Sequence, residues 1–124
     1  LGKIVVSVSL KDFSVRSLEK FKPHILLKDG DSLSGYGVNA SIIALPGHTD
    51  GSIGIDVENK GLIVGDALMN MFYPTVSMLF HDKSEMLDSA GKISRLGNRT
   101  IYFGHGKPVP NKQWVKQRTV RSTH

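Results

Sequence analysis

The sequence has 124 residues, no cysteine and a formal net charge of +5 with neutral histidines. This length fits a single domain, the lack of thiols excludes disulfides and thiolate metal ligands, and no apolar run approaches the roughly 18 residues of a membrane-spanning helix. Five of the 16 Lys and Arg residues lie beyond residue 106, and the others are mixed with Asp and Glu. This pattern is typical of a solvated basic face and argues against nucleic-acid binding.

The first third of the chain is predicted to contain short elements separated by turns. Residues 3–8 (KIVVSV) are rich in β-branched side chains and predict a strand. Ser14 predicts the start of a short helix that ends at Pro23. Residues 25–27 are a candidate for a further strand, which the turn residues 28–31 (KDGD) would close.

The middle of the chain contains the clearest strand patterns. Residues 38–45 and 52–57 are predicted strands, and the turn residues 59–61 (NKG) lead into another strand at residues 62–64. The last two strands are therefore predicted to form a hairpin. Residues 67–81 show no periodic pattern and are predicted to be irregular.

The second half combines a helix with a strand. Asp82 followed by Glu85 is typical of a capping box at a helix start, and Gly97 predicts the helix end. Residues 100–103 predict a strand, and residues 111–124 predict a basic C-terminal helix. The inner face of the first helix is predicted to consist of Met86, Leu87, Ala90 and Ile93. This alternation of strands and helices favours the α/β class.

Three segments place a histidine or an aspartate beside glycine, each directly after a predicted strand. They are residues 46–52 (PGHTDGS), 65–66 (GD) and 104–106 (GHG). Ligand sites of α/β sheets collect at strand ends, glycine allows close approach of the backbone, and imidazole with carboxylate suits zinc, iron or manganese. Each segment alone is more often an ordinary surface turn. Their joint occurrence is what indicates a metal site.

The three segments resemble motifs of the metallo-β-lactamase superfamily of metal-dependent hydrolases. The resemblance covers about residues 25–110 and makes His48 the ligand of the third metal motif, Asp66 the bridging ligand of the fourth and His105 the ligand of the fifth. It implies that the chain forms one βα half of a four-layer αββα sandwich. Because Asp stands at the bridging position, the resemblance is closer to glyoxalase II-like hydrolases than to the best-known lactamases.

One motif of that family, HxHxDH, is absent from this sequence. The resemblance therefore implies that residues 1–124 are the C-terminal portion of such a domain and that each metal keeps two protein ligands here. Catalytic zinc sites usually have three protein ligands, so we expect weak or partial metal occupancy. The water-orienting aspartate of HxHxDH is also missing, so no catalytic residue is assigned in this chain.

The resemblance implies that the parent protein is a cytoplasmic enzyme with two zinc ions, with iron or manganese as alternatives. It would cleave an ester, thioester, lactone or related bond of a small-molecule substrate through a metal-bound hydroxide. We expect the chain alone to be inactive. The alternative is a non-catalytic half-domain that dimerises or pairs with a missing N-terminal half, since half a sandwich leaves an apolar sheet face uncovered. A nuclease function has only the basic tail in its favour.

Two residues of the irregular segment are candidates for a substrate cleft. Tyr73 and His81 follow Asp66 along the chain, so they could face the site. A surface position is the commoner one for such a histidine, and core or lid packing is equally plausible for the tyrosine and the methionines near it.

Overall fold

The structure, a computed structural model, describes residues 20–116. The elements in chain order are a 3-10 turn at Ser34–Tyr36, then β1 Ala40–Ala44, β2 Ile53–Val57, β3 Gly61–Gly65, β4 Leu68–Met69, β5 Thr75–Val76, α1 Lys83–Arg95, β6 Thr100–Phe103 and β7 Val109–Pro110. The centre is a five-stranded mixed sheet in the spatial order β1-β2-β3-β6-β7. A second sheet has two short strands, β4 and β5, and α1 lies between β5 and β6 in the chain.

Strands β1, β2 and β3 form an antiparallel meander, which confirms the predicted strands and hairpin. Ile55 lies opposite Ile42 on one side and Ile63 on the other. The tight β2–β3 turn places Glu58 and Asn59 at φ values of 53° and 55°. Because two antiparallel steps restore the direction, β1 and β3 run parallel to each other and end at the same edge of the sheet.

Helix α1 connects β3 to the parallel strand β6 and covers one face of the sheet. Fully buried side chains of the strands, Leu62, Val64 and Ile101, belong to the same core cluster as Ala90 and Ile93 of the helix. Parallel strands joined by a helix end on the same side. The carboxyl ends of β1, β3 and β6 therefore meet at one edge.

The helix begins and ends where its capping residues predict. Asp82 is the N-cap, and its Oδ1 accepts a hydrogen bond of 2.9 Å from the Glu85 N–H. After the C-cap, Gly97 adopts a φ of 75°, which favours glycine. The prediction for Leu87 is wrong: its side chain is 36% exposed. The buried row passes through Met86, and Leu87 lies about 100° further around the helix axis.

Residues 25–27 form no strand, contrary to the prediction, and all three are exposed. The position beside β1 is taken instead by residues 30–33, at and directly after the turn. Gly30 N donates to Ile42 O at 2.9 Å, and Ile42 N donates to Asp31 O at 2.8 Å. The outer edge of β1 is thereby covered, and no pairing position is left there for residues 25–27.

The predicted C-terminal helix is absent from its described part, residues 111–116, which are irregular. Asn111 explains this conformation, because its Nδ2 donates to Ile93 O and Gly97 O at the end of α1, both at 2.8 Å. Its Oδ1 accepts from Trp114 Nε1 at 2.9 Å. These contacts hold the segment against α1 in an extended path. Residues 117–124, like the strand predicted at residues 3–8 and the helix start predicted at Ser14, lie outside the described residues.

The face of the sheet opposite α1 is partly uncovered in the described structure. Ile53, Ile63 and Tyr102 are 40%, 44% and 45% exposed. An open groove of about 470 Å³ lies beside them, lined by Val57, Glu58, Lys60, Gly61, Ile63 and Tyr102. No helix among residues 20–116 is long and apolar enough to cross a lipid bilayer.

Candidate metal centre

The three predicted ligands lie in loops that leave the same edge of the sheet. His48 follows β1, Asp66 follows β3, and His105 follows β6. The last residue of β3 and the loop after β6 are joined by a hydrogen bond of 2.9 Å from Gly104 N to Gly65 O. The meander and the crossover through α1 therefore bring together side chains that are up to 57 positions apart (105 − 48) in the sequence.

Each oxygen of the Asp66 carboxylate faces a different imidazole. Asp66 Oδ2 is 3.6 Å from His48 Nε2, and Asp66 Oδ1 is 3.5 Å from His105 Nε2. Two atoms bound about 2.1 Å from one tetrahedral zinc ion are separated by about 3.4 Å. Each nitrogen–oxygen distance therefore matches the separation of two ligand atoms on one zinc ion. Imidazole nitrogen and carboxylate oxygen are also ligands that zinc accepts.

The trio forms two pairs rather than one triangle. Among residues 20–116, no group of three or more His, Asp or Glu side chains is arranged to hold a single ion. His48 with Asp66 would supply two ligands to one ion, and Asp66 with His105 would supply two to the other. The count of two protein ligands for each ion, which the family resemblance implies, stays a prediction.

A backbone carbonyl sets the orientation of the first imidazole. His48 Nδ1 lies 2.8 Å from Leu79 O. A carbonyl only accepts, so the neutral ring carries its proton on Nδ1 and leaves the lone pair of Nε2 toward Asp66. Metal-ligating histidines commonly have such a partner on the nitrogen that does not bind the metal.

Glycine is required where the loops crowd the site. A Cβ on Gly104 would overlap Asp66 Oδ1, and a Cβ on Gly106, whose φ is 102°, would overlap the backbone carbonyl of Asn70. Asn70 also holds the last loop, because its N–H donates to His105 O at 3.0 Å and its Nδ2 donates to Lys107 O at 2.7 Å. Sequence reasoning missed Asn70 and Leu79, since these residues act on backbone groups or through them and leave no motif.

The two predicted cleft residues lie on the exposed surface. Tyr73 is 65% exposed. The His81 side chain is 72% exposed, and its Nε2 lies 3.9 Å from Asp50 Oδ1. His81 also donates its backbone N–H to Gly47 O at 2.7 Å, so it lies beside the turn that carries His48. Among residues 20–116, no hydrogen bond or ion pair joins Tyr73 or the His81 ring to the three candidate ligands.

Comparisons with known proteins identify the family. Hydroxyacylglutathione hydrolase 1 of Vibrio vulnificus is 33% identical over 91 residues, which are 73% of this chain and 35% of that protein. The crystal structure of the B3 metallo-β-lactamase BLEG-1 matches 85% of this chain and 52% of its own at a TM-score of 0.65 and 26% identity. The chain belongs to the metallo-β-lactamase superfamily. The predicted superfamily and the α/β class are both confirmed.

Further comparisons define how much of a superfamily protein is present. The crystal structure of TTHA1623 in a di-iron-bound form matches 89% of this chain and 57% of its own, with a TM-score of 0.63 and 16% identity, which shows the shared fold. No family profile matches the chain. The chain spans about a third of the length of the curated relatives that it matches.

Proposed function

We propose that this chain supplies His48, Asp66 and His105 to the two-zinc centre of a superfamily hydrolase. The observation that supports the proposal is the central carboxylate, which presents one oxygen to each imidazole at 3.6 and 3.5 Å. Forming a surface turn does not require a carboxylate placed between two histidines. Iron or manganese would satisfy the same donors.

When bound, the metal pair would activate a water molecule and polarise the bond to be cleaved. In this chain, Asp66 would fix the separation of the two positions, and His48 would be held by the Leu79 carbonyl. The His105 side chain is 63% exposed in this chain, which leaves room beside it for the further ligands that the missing motif would supply. Gly104 and Gly106, which flank His105, have no side chains that would fill the space next to the metal positions.

The proposed substrate class is a small thioester or ester. The relatives at 33% identity are named hydroxyacylglutathione hydrolases, so the first substrate to test is a hydroxyacyl thioester of glutathione. We propose that the chain alone turns over too slowly to measure, because the sequence lacks HxHxDH and each ion would keep two protein ligands. Hydrolysis by the isolated chain at an ordinary enzymatic rate, about 1 s⁻¹ or faster, would disprove this.

Replacing Asp66 with asparagine tests the metal centre. The amide is neutral and would weaken both positions at once, so we expect zinc affinity to fall by at least about tenfold. Zinc titration by calorimetry measures the effect. Asp50→Asn is the matched control, since Asp50 is 84% exposed in a neighbouring turn and faces His81 instead. Equal affinities of the Asp66 and Asp50 variants, or no zinc binding by the unchanged chain, would contradict the proposal.

A second candidate function is association of two copies through the sheet face opposite α1. The exposed Ile63 and Tyr102 and the groove beside them favour it, and a second copy could also pool ligands at the interface. Sedimentation should then show a dimer, and Ile63→Lys, which puts a charge at the centre of the apolar face, should give a monomer. A compact monomer of the unchanged chain would rule this candidate out.

A further inference from the structure

Ser77 is buried, and within residues 20–116 its hydroxyl forms no hydrogen bond with any of the three candidate ligands. We propose that Ser77 is a positioning residue that determines which nitrogen of the His48 ring is available to a metal. This inference rests on the proposed function, because it concerns the same site. Ser77 belongs to none of the three motifs.

Ser77 acts through the peptide of Leu79. Its Oγ donates to Leu79 O at 2.8 Å and also accepts from Leu79 N at 3.3 Å. The same Leu79 O lies 2.8 Å from His48 Nδ1. A carbonyl has two acceptor positions, so it can hold the hydroxyl and the imidazole N–H together. The two contacts of the hydroxyl fix the direction of this carbonyl toward the ring.

The direction of the Leu79 carbonyl matters because Asp66 favours the His48 tautomer that carries its proton on Nε2. A proton on His48 Nε2 would point toward the Asp66 carboxylate, whose Oδ2 is 3.6 Å away, and would block the nitrogen that faces the metal position. The Leu79 carbonyl opposes this by accepting the proton on Nδ1. A misdirected carbonyl would let the ring pair with the carboxylate instead.

The orientation of the Leu79 carbonyl is not fixed by packing of the side chains that follow Ser77. Met78, Leu79 and Phe80 are 61%, 66% and 46% exposed, whereas Ser77 is 2% exposed. The segment therefore has little apolar packing after Ser77. A buried hydroxyl is unfavourable unless it is hydrogen-bonded, and here both of its hydrogen bonds go to backbone atoms of Leu79, the residue whose carbonyl contacts His48.

The test compares Ser77→Ala with the unchanged chain in two measurements. Long-range ¹⁵N–¹H spectra of the metal-free protein report which ring nitrogen of His48 carries the proton, and zinc titration reports affinity. We expect an Nδ1 proton in the unchanged chain, a shift toward Nε2 in Ser77→Ala, and a loss of zinc affinity of about tenfold, the lower limit for an outer-shell partner. Ser77→Thr keeps the hydroxyl and should restore both signals.

Two controls separate positioning from loss of structure. Ser94→Ala removes a similar hydroxyl, which donates to Ala90 O and accepts from Trp114 N, both at 3.0 Å and away from the site, and should change neither signal. If Ser77→Ala fails to fold, Ser77→Val is compared with Ser77→Thr, because the two side chains have nearly the same size and differ in the hydroxyl.

The outcomes also distinguish the two proposals. The role of Ser77 would be overturned if Ser77→Ala, or Ser77→Val, left the His48 ring spectra and the zinc affinity unchanged. It would also be overturned if the His48 ring of the unchanged chain carried its proton on Nε2. If the unchanged chain binds no zinc, the proposed function fails. A tautomer shift on removal of the hydroxyl would still establish that Ser77 orients His48.

Discussion

Replacing Arg99 with alanine is expected to lower the free energy of unfolding by about 3–5 kcal/mol, because it leaves a buried carboxylate without its partner. Arg99 Nε and Nη2 donate to the two oxygens of Asp56 at 3.1 and 2.9 Å, and the two side chains are 13% and 7% exposed. The same guanidinium donates to Asn59 Oδ1 at 3.1 Å and to Leu96 O. It therefore joins the β2–β3 turn to the end of α1. Urea denaturation measures the change.

The electrostatics of the pair agree with this role. The hydrogen bonds that Arg99 donates to the Asp56 carboxylate raise the pKa of Arg99 above its usual value, so the guanidinium remains charged in the folded state. Lys60→Ala is the control: the Lys60–Glu58 pair spans 3.7 Å with side chains 82% and 50% exposed. Such surface pairs contribute about 0–1 kcal/mol. Similar losses in the two variants would show that burial of the Arg99–Asp56 pair does not matter.

Replacing Gly47 with alanine is expected to destabilise the fold by about 2–6 kcal/mol, the sum of a strained backbone and an overpacked contact. Gly47 has a φ of 129°, and a Cβ there would overlap the backbone nitrogen of Met86. Its carbonyl also accepts from His81 N at 2.7 Å and Asp82 N at 3.0 Å. The turn that carries His48 is thus packed directly on the start of α1.

Gly51→Ala provides the matched control for this turn. Gly51 does not have a positive φ, and a Cβ there would meet nothing within 4 Å, so we expect a change within about 0.5 kcal/mol. Thermal or urea unfolding compares the two variants. In Gly47→Ala, zinc affinity should fall together with stability, since His48 follows directly. Equal stability of the two alanine variants would show that the turn can move away from the helix.

Local signals in the sequence were sufficient to predict much of the fold. The start of α1 depends on Asp82 and Glu85, which are three positions apart, and its end depends on Gly97; both are visible without knowledge of the tertiary structure. The β2–β3 hairpin is similarly local. The β4–β5 hairpin escaped prediction because strands of two residues are too short to show alternation.

The errors arose where distant residues compete for the same contacts. Residues 25–27 have a suitable composition for a strand, but the pairing edge of β1 is occupied by residues 30–33. Residues 111–116 were predicted to be helical, but Asn111 bonds to the end of α1. The strand or helix propensity of a segment gives no information about the pairing on β1 or about the hydrogen bonds of Asn111.

The candidate site divides in the same way. His48, Asp66 and His105 could be singled out because each follows a strand and is flanked by glycine or lies beside it. Their pairwise distances follow from the sheet topology. Ser77, Leu79 and Asn70 could not be predicted, since serine, leucine and asparagine in an irregular segment are common and their contacts depend on backbone atoms.

Both lateral edges of the main sheet are protected in the described residues. On one side, the chain around Gly30 and Asp31 occupies hydrogen-bonding groups of β1. On the other, β7 has two residues, and the second, Pro110, has no N–H to offer. Fibril growth requires an edge onto which further strands can add, and short edge strands and proline disfavour that addition. These two edges therefore offer a poor template for sideways polymerisation.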